Sequence, residues 1–260
     1  MKYDAIILAG GESSSELKKI APYDNEALII IGNYPMIYYV YKALRQSSFI
    51  RNIVISGPVE QLRNIFSQEK NLYFAKSGEN AVQSFIQAVN CLKENEAISR
   101  SLLVVPTDIP LITAEAINDF INRCEREEAD FFYPITSKEV NEKKFPGVTR
   151  TYVRLREGVF TGGNLFFIRN EVIDKVLDSA LQLVERRKNP LALARLFGFK
   201  LVWKYIIKRL SIQEAEKRFY EVIGVRGKAV ISDYAEVGVD VDKPSDLEIA
   251  RKYLADISFD

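Results

Sequence analysis

Through the first half of this 260-residue chain, short runs apolar on both sides alternate with stretches of helical spacing, and that alternation narrows the fold more than any other feature. "AIILAG", "NIVISG", "NLYFA", "SLLVVPTD" and "DFFYPI" read as strands. "PMIYYVYKALRQ", "ENAVQSFIQAVNCLKEN" and "TAEAINDFINRCEREE" read as helices, the first opening on Pro35 and the last capped by Thr113. A strand with no polar face, such as Leu102–Val105, needs cover on both sides, and strand–helix–strand order sets successive strands parallel. The predicted fold is α/β, a doubly wound, mostly parallel, Rossmann-like sheet in a single domain over 1–260. The second half changes character. "TRTYVRL" reads as an exposed strand and "GNLFFI" as a buried one. Helices from about Glu171 to Phe219 predict a helical elaboration near 180–220. "KAVIS" and "EVGVDVD" read as strands before a last helix, "SDLEIARKYL", with Ser245 as N-cap and Glu248 closing a capping box.

Composition limits the chemistry. A net charge of +1 exerts no pull toward nucleic acid. The two cysteines, Cys91 and Cys124, fall in helical stretches, which suits a reducing cytosol, and the N-terminus leads straight into a strand without a signal peptide, so a cytoplasmic location is expected. The chain has no histidine, so carboxylates, Lys, Arg, hydroxyls or a hard metal ion must do the work.

In an open parallel sheet, ligands bind beyond the C-terminal strand ends. Gly10-Gly11 follows one such end, where backbone N–H groups can approach a phosphate. Asp108 follows another, between Pro106 and Pro110, and Thr113 already caps the next helix. Asp240 and Asp242 stand two apart, and share a side only where the chain stays extended. Acids from separate strand ends suit Mg²⁺ bridging phosphate oxygens.

"LAGG", "TDIP" and "GVDVDKPSDLEIAR", in that order, resemble the nucleotidyltransferase superfamily of glycosyltransferase-A-like fold, and within it the molybdenum-cofactor nucleotidyltransferase-like group, over 3–135 and 160–255. The resemblance implies a Mg²⁺-dependent transfer of a nucleotidyl group from an NTP, CTP or GTP before the others, to a phosphorylated small molecule, with release of pyrophosphate. It implies nucleotide contacts at Leu8, Ala9, Gly10, Gly11 and Thr107, and base contacts at Gly78, Asn80 and Ser84 in "SGENAVQSF". Metal ligation is implied at Asp108 with Asp240 or Asp242, and acceptor contacts at Gly162, Gly163 and Asn164. Asn80 and Ser84 read equally well as helix-start polarity, and Gly162-Gly163 as a turn before a strand. Where relatives carry an Arg after the glycines this chain has Ser15, and where they carry a Lys it has Glu26. Lys18 and Lys19 are therefore the candidates for the missing catalytic cations.

Two basic stretches remain. Arg150, Arg154 and Arg156 would share one strand face, with Arg150 as the acceptor-binding candidate or the whole as a solvated edge. "NPLALARLFGFKLVWKYIIKRL" sets Lys200, Lys204 and Lys208 on one stripe. It is expected to pack on the body of the protein or in a homodimer contact rather than on a membrane. The rival functions are a non-catalytic nucleotide-binding relative and a nucleotide-sugar glycosyltransferase. The latter would want a mid-chain DxD, whereas Asp108 stands alone.

Overall fold

The computed structural model describes residues 2–67, 69–186 and 198–259. The chain runs β1 (Tyr3–Leu8), α1 (Ser15–Ile20), a small hairpin of β2 (Ile30–Ile31) and β3 (Tyr34–Pro35), α2 (Met36–Gln46), β4 (Ile50–Gly57), α3 (Val59–Ile65), β5 (Leu72–Lys76), α4 (Ala81–Glu94), β6 (Ser101–Pro106) and α5 (Ala114–Glu125). It continues through β7 (Phe131–Ser137), α6 (Lys138–Lys144), β8 (Val153–Leu155), β9 (Gly158–Gly162) and β10 (Phe166–Arg169). Then come α7 (Ile173–Arg186), α8 (Phe199–Ile206), α9 (Ile212–Ile223), β11 (Gly227–Ser232) and α10 (Pro244–Leu254).

Nine strands make one sheet in the order β5-β4-β1-β6-β10-β7-β9-β8, with β11 added to β7. β5, β4, β1 and β6 are parallel, β10 runs against both β6 and β7, and β11 is parallel to β7. The doubly wound, mostly parallel α/β sheet is thus present. The strands are apolar on both sides because both sides are covered. Ala5, Ile7, Leu103 and Val105 join one core with residues of α2 and α5, while Ile6, Leu102 and Val104 join another with residues of α4 and α7. At roughly 1.5–3 kcal/mol for each fully buried Leu, Ile or Val, these two rows hold β1 and β6 at the centre of the sheet.

Three local expectations are corrected. "EVGVDVD" is not a strand: Ala235–Gly238 makes a 3₁₀ turn, and Ala235, Val239 and Val241 are buried against Leu247 and Ala250. The alternating valines reflect a segment enclosed between α10 and the sheet edge. Ser245 is not the N-cap of α10. Lys243 takes that place, because Pro244 supplies a helix-ready φ one residue earlier, and the Asp246 carboxylate accepts from the N–H groups of Asp242 (3.3 Å) and Lys243 (3.1 Å). Arg150, Arg154 and Arg156 do not share a strand face, since β8 holds only Val153–Leu155. Of the basic apolar stretch, 189–197 lie outside the described residues. In the remainder, Trp203 and Ile206 of α8 are exposed rather than packed.

Candidate functional site

β1, β5, β6, β7 and β11 all end at one edge of the sheet, and β10 begins there. The glycine loop therefore faces the loops that hold Asp108, Asn164 and Asp240–Asp242. Two backbone-level contacts tie these segments together. Val241 N–H donates to the Asp108 carbonyl (2.7 Å), and the Ser14 hydroxyl donates to the Asp242 carbonyl (3.1 Å).

One carboxylate oxygen each from Asp108, Asp240 and Asp242 lies within 4.8 Å of the other two. Asp108 is strongly desolvated, and its Oδ1 is buried without a hydrogen-bond partner. Burial first, then the charges of Glu26 and Asp242, push the Asp108 carboxyl up to about 7. Arg150 enters from the far side and closes an ion pair on Asp240, while its Nε is buried without a partner. Burial lowers the Arg150 guanidinium from its usual range, against the pull of Asp242, Asp246 and Asp108. A buried acid left without a donor is costly unless a cation completes it, and all-oxygen donors are what a hard divalent ion takes.

Glu26, which the resemblance sets at the place of a family lysine beside the glycine loop, does lie there. Segment 24–26 folds back along the glycine loop: Ser13 N–H donates to the Asp24 carbonyl (2.8 Å), Asn25 Nδ2 to the Ala9 carbonyl (2.8 Å), and Glu26 N–H to the Gly11 carbonyl (3.3 Å). The Glu26 carboxylate consequently lies on Gly11, where a Cβ would collide with it. Burial, then the charge of Asp242, push its pKa up to about 7. The usable sequence signal was the acid standing where relatives carry lysine.

The other expected residues are distributed as follows. Gly10 is pressed against Ser77, which an added Cβ would approach to 2.7 Å. Ser84 accepts from Gly78 N–H (3.0 Å), and Asn80 caps α4 by accepting from Gln83 N–H (3.0 Å), so both side chains shape the loop beside Gly10. Thr107 is fully buried and Leu8 half-buried. Lys18 is turned to Asp24 (2.9 Å) and Lys19 is exposed. Gly162 and Gly163 leave no room for a side chain, against the Tyr133 hydroxyl and against Pro134. Asn164 donates its N–H to the Val237 carbonyl (2.8 Å) and keeps Nδ2 buried without a partner. Tyr133, also adjoining Arg150, was not foreseen. A separate cavity of about 310 Å³ behind Leu8 is lined by apolar side chains, among them Val82, Phe85 and Phe166.

A family model described as the MobA-like NTP transferase domain matches residues 5–201. A hypothetical transferase from Thermus thermophilus is 34% identical over 95% of this chain and 100% of its own, with a TM-score of 0.79. The fold also matches a CMP:2-keto-3-deoxy-manno-octonic acid synthetase complexed with CTP, at 15% identity and a TM-score of 0.60 over 98% of this chain and 99% of that one. It matches a 4-diphosphocytidyl-2C-methyl-D-erythritol synthase from Anaerococcus prevotii at 14% identity and a TM-score of 0.60, over 97% and 96% of the two chains. No curated protein sequence matches significantly. With strand-end glycines, Asp108 and the C-terminal acids at one sheet edge, and a family match across most of its length, the chain belongs to the MobA-like NTP transferase domain family.

Proposed function

We propose that the protein transfers a nucleotidyl group from an NTP to a phosphorylated small molecule, releasing pyrophosphate, in a Mg²⁺-dependent reaction. The observation that carries this reading is the convergence of Asp108, Asp240 and Asp242 within 4.8 Å, across from the glycine loop. Those three residues would hold the Mg²⁺. When bound, the ion offsets charge on the phosphate oxygens.

The chain's own groups supply the rest. Backbone N–H groups of Gly10 and Gly11, with Leu8, Ala9 and Thr107, cradle the nucleotide. The Arg150 guanidinium orients the acceptor phosphate, and Asn164 Nδ2 offers a further donor on that side. The acceptor phosphate oxygen attacks the α-phosphorus in line, the α–β bond breaks, and pyrophosphate leaves. An ionised phosphate needs no protein base, in keeping with a chain that has no histidine. The octonic acid synthetase of like fold is complexed with CTP, which supports CTP as the first nucleotide to try.

The test is a screen of the four NTPs against phosphorylated alcohols and sugars, with Mg²⁺ or with EDTA, read as pyrophosphate. Metal-dependent release with one pair is expected, and the absence of release from every pair refutes the reading. A second reading, a nucleotide-binding relative that does not turn over, is favoured by the Glu26 carboxylate at the glycine loop. Tight NTP binding without pyrophosphate would select it.

A further inference from the structure

Helix α8 presents its apolar side chains to the outside. Trp203 is 63% exposed and Ile206 60%, and Tyr205 and Ile207 are also exposed. Trp203, Ile206 and Ile207 stand at i, i+3 and i+4, so they form one stripe. The helix is held to α9 from its other side, where Lys204 pairs with Glu214. The stripe ends in cations. Lys208 takes a left-handed φ of 59° that stops the helix, and it and Arg209 are exposed. Arg156, also exposed, reaches the Arg209 carbonyl at 3.5 Å. Of the acids on this side, Glu214 pairs with Lys204 and also feels the charge of Arg156, and the Glu157 carboxylate accepts from the Ile212 N–H (3.1 Å).

We propose that this face docks the protein on an anionic lipid surface. Indole and phenol rings with short apolar side chains, ending in the exposed Lys208 and Arg209, unpaired among the described residues, match the boundary between acyl chains and acidic headgroups. A second copy of the chain fits less well, because an isologous contact pairs the patch with itself and so offers Lys208 and Arg209 no acids beyond Glu157 and Glu214. The attachment is peripheral, since among the described residues no helix is long and apolar enough to cross a membrane. It is independent of the nucleotidyl-transfer reading.

Trp203 is the sole tryptophan of the sequence, so its fluorescence reports the docking event without labelling. The full chain is titrated with vesicles of phosphatidylcholine alone and of phosphatidylcholine with about a third phosphatidylserine, at low and high salt. On the anionic vesicles the expected results are co-sedimentation at least tenfold above the neutral ones, weakening with salt, and a blue shift of Trp203 emission. Lys208→Glu with Arg209→Glu should abolish binding while thermal unfolding is unchanged, and Trp203→Ser should reduce it severalfold. Equal binding to both vesicle types, sedimentation without a blue shift, or a blue shift that follows protein concentration without lipid would each overturn the proposal, the last in favour of a second copy.

Discussion

The two flanks of the acid cluster handle the same kind of charge in opposite ways. On the acceptor flank, Asp240 is paired with Arg150. On the glycine-loop flank, Glu26 is added to Asp108 and Asp242, and the carboxyls of Glu26 and Asp108 are pushed up to about 7. A paired carboxylate keeps its charge, whereas a desolvated one beside other acids holds its proton or waits for a cation. The difference teaches that this chain neutralises one flank of the cluster itself, with Arg150, and leaves the other without a cation of its own, which on the proposed function would come with the ligand.

The strongest way to break that contrast is to remove its centre. Asp108→Asn is expected to abolish the Mg²⁺-dependent part of NTP binding, at least about a hundredfold, roughly 2.7 kcal/mol. The same change relieves repulsion among clustered, partly buried acids, so the metal-free protein should gain on the order of 1 kcal/mol of stability. Calorimetric titration with and without Mg²⁺, and thermal unfolding in EDTA, read the two effects. Unchanged metal-dependent affinity would remove Asp108 from the site.

Next in size is the paired flank. Arg150→Gln leaves Asp240 without its partner and takes the guanidinium from the acceptor side. The KM for the phosphorylated acceptor should rise about thirtyfold, about 2 kcal/mol, while the Kd for NTP stays within about threefold. Arg150→Lys should recover only part of the loss, because an ammonium cannot reproduce the planar fork. A larger change in NTP affinity than in acceptor KM would place Arg150 on the nucleotide flank instead.

Glu26→Lys tests the unpaired flank. At an effective dielectric near 20, a unit charge about 4 Å away is on the order of 4 kcal/mol, and solvent screening cuts this severalfold. Exchanging repulsion for attraction should therefore tighten NTP about tenfold when Mg²⁺ is absent. With Mg²⁺ present the gain should shrink, since the lysine competes for Asp108 and Asp242. An unaltered affinity in a folded protein would mean that the Glu26 carboxylate does not face the phosphates.

The two flanks also differ in how far they could be read from the sequence. Gly10, Gly11 and Asp108 were legible because each ends an apolar strand whose pattern is local, and the parallel order then carries them to one edge. Glu26 was legible only through the resemblance, which set it beside the glycine loop, and not through any local pattern. Its inward turn depends on Asn25 reaching Ala9 and on Ser13 pairing with Asp24, contacts that no hydrophobic period records. Arg150 was picked out for its chemistry through a strand face that does not exist, since its ion pair joins residues ninety apart. The antiparallel insertion of β10 beside β6 lay outside the reading for the same reason. Its "GNLFFI" run has the composition of a buried strand in either direction.

Asp130 offers the smallest effect and the cleanest control, because it is a buried carboxylate lying at the opposite strand ends of the sheet from the site. It precedes β7 and accepts from the backbone N–H and the guanidinium of Arg226, each at 3.2 Å, which ties the start of β7 to the start of β11. Burial pushes its carboxyl up, but the hydrogen bonds and charge of Arg226 outweigh this and hold it below the usual carboxylate range. The sign is thus opposite to that of Asp108 and Glu26. With the folded pKa depressed, the native state binds fewer protons than the unfolded chain over the window between the folded pKa and the ordinary value near 3.9. The stabilisation is fully present above that window and is lost as pH falls through it. Asp130→Asn should lower Tm by about 2–4 °C at pH 7, a modest loss for a chain of this size. The gap between parent and variant should close as the pH drops below 4. Thermal unfolding at pH 7, 5, 4 and 3 measures it. A gap that stays constant down to pH 3 would show that Asp130 contributes through packing and neutral hydrogen bonding. Depressed and raised carboxyls at the two ends of the sheet would then not be the electrostatic opposites that the paired and unpaired flanks of the site require.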